Sequence, residues 1–366
     1  MSTEFRKKVL YINHLNDMLI SKLFVIKIDT YMKKYLEKFA DIVDIIDLDM
    51  VKLNNYELII INIMSIIPDI NKLNPKLVSQ KTSKIKEHHN VALYLHDLHD
   101  YSIKYSQNFL KLNIVVENGI KKYVPNLKDN IAKKEYQNLF NLYNIKYLIS
   151  IYDCPEFDFF YTYFINIKKF YITSHGYCPK IFKPMDVEKK YDILFYGCDK
   201  KEIYPLRVRI LNICQNMGLN VKKLDYTMGE KQDNKKQSEE VLCRYINQSW
   251  LCIACTSNFS YFVRKYLEIS ACYSLVIGDI NKQGKQILND NILEVTMEMS
   301  DIEIINKISH YLNNKNLIIE KIRKNHESLK KYTYRKVVRK IKNISKSILE
   351  NSNCEHEYNN YKSGPE

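Results

Sequence analysis

Arg264 and Glu268 stand four residues apart in the run 262–280 (FVRKYLEISACYSLVIGDI). That spacing puts a guanidinium and a carboxylate on the same face of a helix. Such a pair either forms a solvated ion pair or reads a polar ligand, because the carboxylate accepts hydrogen bonds and the guanidinium donates them. Ala271 and Cys272 are small enough for tight helix packing, and 274–280 reads as a buried strand ending in Gly278-Asp279. The expectation is a ligand-reading helix feeding a parallel strand.

A second group is His96-Asp97-Leu98-His99-Asp100, directly after the apolar run 90–96. Two imidazoles and two carboxylates at a strand's end suit general-base work toward a hydroxyl, with Asp97 the first choice and His96 the second. The same residue types also cap loops or bind a metal, so three roles stay open there. Tyr152-Asp153-Cys154-Pro155-Glu156 is another acidic turn, and its Asp-x-Pro character fits the start of a helix. Nine cysteines lie mostly in apolar segments, and the one close pair, Cys252-x-x-Cys255, has no second pair or nearby His. These read as reduced core thiols rather than a zinc or redox centre.

The elements that must position these residues alternate between short apolar runs and amphipathic stretches of helix length, the pattern of βαβ units and parallel sheets. In the first half, strands are expected at 8–13, 43–48, 57–64, 90–96, 146–151 and 169–173, with a helix at 26–39. In the second half, 190–196, 220–224, 250–254, 274–280 and 292–295 read as strands, and 205–217, 238–248 and 262–272 as helices. Residues 229–240 are polar and aperiodic, which predicts an exposed loop, and 302–349 is almost continuously helical in character. The fold class expected is α/β with two tandem Rossmann-like domains, whose ligand sites lie in a cleft at the carboxyl ends of the strands. The boundaries expected are 1–184, 185–330 and a basic C-terminal helix and tail at 331–366.

With 366 residues and 46% hydrophobic content the chain can bury two cores. It has no uninterrupted apolar run of about 18 residues and its first residues lack the apolar segment of a secretory signal, so a cytoplasmic protein is expected. A net charge of +14 invites nucleic acid as a partner, but Lys is spread along the whole chain and the densest run, 321–346, reads as a helix face. Nucleic acid is not the expected partner. The amphipathic basic helix there either packs back toward the first domain or lies on an anionic membrane surface.

The Arg264-x-Tyr266-x-Glu268-x-x-Ala271 pattern resembles the nucleotide-sugar-binding segment of GT-B glycosyltransferases, most closely the spore-maturation-protein-like branch. The resemblance extends to Asp192 through Cys198, a strand followed by Gly197, to Arg207 on the next helix, and to the Phe182-Lys183-Pro184 linker. It implies a donor site in the second domain. Glu268 would accept from the ribose hydroxyls, Arg264 would pair with it or reach the diphosphate, and Tyr266, Gly197, Cys198 and Arg207 would line the same site. His175 would contact donor phosphates or serve as a turn residue. A second Glu common in the wider superfamily is replaced by Ser260, so Ser257, Asn258 and Ser260 would fill that part of the site. The implied activity is metal-independent transfer of a sugar from a nucleotide-diphosphate sugar to a glycan, protein or small-molecule hydroxyl, with no cofactor and with the acceptor on the first domain. The alternative is a non-catalytic GT-B-like scaffold that binds nucleic acid or an anionic surface.

Overall fold

The computed structural model describes residues 8–13, 32–66, 75–95, 113–117, 120–124, 137–153, 166–201, 203–224, 239–257 and 260–351. The chain divides into two compact units, one of Met1–Leu112, Pro125–Ser174 and Val337–Glu366, the other of Asn113–Val124 and His175–Lys336.

The first unit is built on a parallel sheet of β1 (Val9–Asn13), β2 (Asp41–Asp44), β3 (Leu58–Asn62), β4 (Val91–Leu95), β7 (Ile145–Ser150) and β8 (Lys169–Ile172). Their spatial order is β2-β1-β3-β4-β7-β8. β1, β3 and β4 are buried at every residue, as strands covered on both faces must be. The order reverses between β1 and β3, where ligands bind doubly wound sheets. There Asn13 Oδ1 accepts from Asn62 Nδ2 at 3.1 Å and Ser65 Oγ at 3.3 Å, a buried polar knot in an apolar sheet. Helix α1 (Pro75–Thr82) precedes β4. The strand expected at 43–48 is instead β2 followed by a 3-10 helix, Ile45–Met50, because Asp44 accepts from the Ile46 N–H and caps it. Of the helix expected at 26–39, residues 26–31 lie outside the described residues, 32–36 are helical and 37–39 form a turn.

The second unit carries β9 (Tyr191–Tyr196), β10 (Val221–Leu224), β11 (Ser249–Ile253), β12 (Leu275–Gly278) and β13 (Leu293–Glu294), parallel in the order β10-β9-β11-β12-β13. An antiparallel hairpin of β5 (Asn113–Glu117) and β6 (Ile120–Val124) also groups with it. Its helices are α2 (Pro205–Asn216), α3 (Glu239–Asn247), α4 (Lys265–Ala271), α5 (Lys282–Leu288), α6 (Asp301–Asn313) and α7 (Lys315–Leu329). Along β9 the side chains alternate between two cores. Ile193 and Phe195 pack with Ile210 of α2 and Ile304 of α6, whereas Leu194 and Tyr196 pack with Leu242 of α3 and Leu267 of α4. One face per parity is the strand's own period, and both faces being apolar is what a two-sided helical cover requires.

At the amino ends of β11 and β12, the Lys189 ammonium donates to Ser249 O at 2.7 Å and Tyr273 O at 2.6 Å. Lys189 and Lys315 lie 5.5 and 4.5 Å from the ring centroid of Trp250.

The C-terminal stretch is three helices rather than one, α6 and α7 breaking at Asn314 and α8 (Tyr334–Asn351) starting after a turn at 330–333. α8 buries Val337, Val338, Ile341, Ile344 and Ile348 and turns Arg335, Lys336, Arg339 and Lys340 outward. Its apolar stripe is spent inside the protein, so insertion of that stripe into a bilayer would require it to leave the fold. Among the described residues no helix is long and apolar enough to cross a membrane. The chain's C-terminal Cys354 and the loop expected at 229–240 lie outside the described residues except for Glu239 and Glu240, which open α3.

Candidate functional site

In the second sheet the order reverses between β9 and β11, so the ligand edge is where these strands end. β9 runs into Gly197, whose φ of +89° suits a residue without a side chain. A Cβ there would come within 2.5 Å of Lys265 Nζ. β11 runs into Ala254-Cys255-Thr256-Ser257, with Ser257 at φ +69° and Ser260 at φ +54°. β12 ends at Gly278, where a Cβ would lie 1.8 Å from Ala254 O.

Arg207 spans this reversal. Rooted near the start of α2 and 2% exposed, it donates from NH1 to Cys198 O at 2.9 Å and from NH2 to Cys255 O at 3.4 Å, tying the loop after β9 to the loop after β11. Tyr204 stacks on the guanidinium at 3.6 Å. The Arg207 Nε–H is buried without a hydrogen-bond partner.

Lys265 is the first residue of α4. Its ammonium turns back onto Tyr196 O and lies 4.3 Å from the Tyr196 ring centroid. Burial and then the Arg207 charge push its pKa well below the usual lysine value. Among the described residues neither Arg207 nor Lys265 has a carboxylate within 4.0 Å. Two basic side chains therefore meet at a glycine turn on the ligand edge, their hydrogen bonds going to backbone carbonyls, with the Glu268 carboxylate acting on Lys265 and Asp279 on Arg207 only from beyond ion-pair distance. The Asp279 carboxylate, just past β12, is occupied: it accepts from Thr256 N at 2.9 Å and from Thr256 Oγ1. Burial raises its pKa, against those bonds.

Arg264 and Glu268 do share a face, with Arg264 Nε 2.6 Å from Glu268 Oε1, but their side chains are only 9% and 3% exposed. The solvated pair admitted by the sequence is a buried one. Arg264 NH1 donates to Tyr334 Oη at 3.3 Å, and Tyr196 Oη donates to Glu268 Oε2 at 3.4 Å. Oε1 has the ion-pair contact but no aligned hydrogen bond. Burial raises the Glu268 carboxyl, with Arg264 opposing and Glu239 adding to it. The helix begins at Lys265, three residues later than the periodicity predicts, because 262–264 form the turn into it and Phe262 is stacked on Tyr266 at 4.7 Å.

Tyr266 is placed in the core, its hydroxyl donating to Asp279 O at 2.7 Å. His175 is buried beside Gly176, against which Tyr334 packs so closely that a Cβ would meet Tyr334 Cδ1 at 2.7 Å. The structure thus brings Gly197, Cys198 and Arg207 together, with Ser257 on the neighbouring loop, and sets Arg264 and Glu268 on the adjoining helix. Asn258, and the proposed base residues Asp97 and His96 following β4, lie outside the described residues. So do Cys154 and Glu156. Among the described residues no three His, Cys, Asp or Glu side chains converge as metal ligands.

Sequence inspection passed over Lys265, Thr256 and Asp279. The one signal the sequence offered for Lys265 was its place between Arg264 and Tyr266 in the motif itself.

No family model and no curated protein sequence matches the chain. Solved structures do. An alpha-glucosyltransferase in complex with UDP-glucose and DNA containing an abasic site is 11% identical, with TM-score 0.56, over 94% of this chain and 99% of that one. Anabaena HepE in complex with UDP-glucose is 13% identical, with TM-score 0.53, over 93% and 99%. Sucrose-phosphate synthase from Thermosynechococcus elongatus is 12% identical, with TM-score 0.50, over 92% and 80%. At such identities the likeness is one of fold: the chain shares the two-sheet α/β architecture of GT-B glycosyltransferases.

Proposed function

We propose that this chain transfers a sugar from a nucleotide-diphosphate sugar to an acceptor hydroxyl, with the donor at the carboxyl edge of the second sheet. The observation that carries the reading is the pair Arg207 and Lys265, two cations beside the Gly197 turn without a carboxylate partner among the described residues. A diphosphate bound there relieves their mutual repulsion, and the same charges stabilise the diphosphate as it leaves the sugar. They take the part that a divalent ion plays elsewhere, which is the basis for proposing a metal-independent transfer.

Glu268 is the candidate for the ribose hydroxyls, since its Oε1 retains acceptor capacity. The acceptor belongs on the first unit in this reading, with Asp97 or His96 as base. The likeness to proteins solved with UDP-glucose favours a UDP-type donor for the first trial.

A panel of UDP-, GDP-, ADP- and CMP-linked sugars, scored by titration calorimetry with and without magnesium, tests the proposal. One nucleotide family should bind, and Lys265→Met should weaken it at least tenfold with the fold unchanged by circular dichroism. Absence of binding by every donor at millimolar concentration would reject the proposal in favour of a non-catalytic scaffold for anionic partners.

A further inference from the structure

Seven described cysteines are free thiols, six of them buried. Two are in direct contact. Cys243 on α3 and Cys272 at the C-cap of α4 place their sulfurs 3.5 Å apart, with Cys272 the donor. Asn247 Nδ2 also donates to Cys243 Sγ at 3.4 Å, and Met185 Sδ lies 3.8 Å from it. We propose that Cys243 and Cys272 are an oxidation site, converted by a hydroperoxide into a reversible disulfide that ties α3 to α4.

The sulfurs need to approach by about 1.5 Å to reach bonding distance. The roles of the two thiols are unequal. The hydrogen bond from Cys272, followed by burial acting against it, leaves Cys243 acidified to about 7, whereas burial pushes Cys272 well up. Cys243 is therefore the nucleophile and Cys272 the resolving thiol. The Cys243 thiolate attacks one peroxide oxygen, forming an S–O bond as the O–O bond breaks and hydroxide leaves. Cys272 sulfur then displaces hydroxide from that sulfenic acid, forming the S–S bond. With hydrogen peroxide the two thiol protons end in two waters, each sulfur loses one electron, and the peroxide gains both.

The tie lies one helical turn beyond two carboxylates, since Glu239 precedes Cys243 by four residues and Glu268 precedes Cys272 by four. Both of these carboxylates act on Arg264. Oxidation therefore changes the spacing of α3 and α4 where Glu268 meets Arg264, and its effect on donor affinity rests on the function proposed above.

Trypsin separates the two cysteines cleanly, because 237–244 and 266–282 each hold one cysteine. Natively folded protein treated with hydrogen peroxide should yield these two peptides joined, the intact chain lighter by two hydrogens, and dithiothreitol should restore both. Cys272→Ser should leave Cys243 as a trapped sulfenic acid. Absence of the joined peptide from folded, peroxide-treated protein would overturn the proposal, as would joined peptides distributed among other cysteines at equal yield. The cross-link is read by mass without any nucleotide, so its failure is separable from failure of the transferase reading. If donor binds the reduced chain, an affinity unchanged by full cross-linking would overturn the coupling to the site.

Discussion

An ammonium held away from water beside a guanidinium gives up its proton more readily than one in solution, and Lys265 is held in that way next to Arg207. The folded chain then binds fewer protons than the unfolded chain between the lowered value and the ordinary lysine value of 10.5, so this residue's cost to the fold lessens as pH rises through that window. A bound diphosphate acts in the opposite sense, stabilising the charged form. Donor binding should therefore take up a proton once pH exceeds the Lys265 pKa, and donor affinity should fall with further rise in pH, by up to about tenfold per unit. Calorimetric titrations carried from neutral pH up to the ordinary lysine value of 10.5 would detect this, and Lys265→Met should flatten the profile. A wild-type affinity that is level over that whole window removes Lys265 from the proposed diphosphate site. Little of this was legible in advance, because one lysine does not stand out among 56 basic residues. Arg207 and Gly197 were easier, since a strand followed by glycine and a basic helix is a local pattern. The contact of Tyr334 with Arg264 joins positions 70 residues apart, and no local pattern contains it.

At the scale of elements, the second sheet depends on how closely β11 and β12 approach where they end. Gly278→Ala would drive a methyl group into the Ala254 carbonyl, a backbone atom that cannot swing aside, at a φ of +152°. Gly218→Ala faces only its own φ of +71°, with open space around it. The expected losses are about 3 kcal/mol or more for Gly278→Ala and about 1 kcal/mol for Gly218→Ala, measured by urea titration of the two variants. Equal losses would mean that the strand ends separate without cost. The parallel strands of this unit were readable because they are short apolar runs between helix-length segments, and β9 through β12 sit within a residue or two of their expected places. The β5–β6 hairpin was missed although Asn118-Gly119 between apolar runs is a strong hairpin signal. A search for alternating βαβ units leaves no room for an antiparallel pair. The C-terminal stretch concealed its breaks for a different reason: Asn314 and the turn at 330–333 carry neither Gly nor Pro, so only the change of buried face marks where one helix ends.

For the whole molecule, two units with separate sheets predict a departure from all-or-none unfolding. Differential scanning calorimetry should resolve two transitions, and the nucleotide sugar that binds should raise only one of them. Gly278→Ala should lower that same transition, and movement of both by either perturbation would show that the units melt as one. The chain supplies its own means of assigning them. Of 366 residues only one is tryptophan, and Trp250 belongs to the second unit, with the ammonium groups of Lys189 and Lys315 on its ring. Light absorbed near 295 nm is thus emitted from a single place, and its colour and intensity follow the loss of those two charges as that sheet's amino edge opens. A fluorescence melt watches the second unit alone, while circular dichroism watches both, so the gap between the two curves belongs to the first.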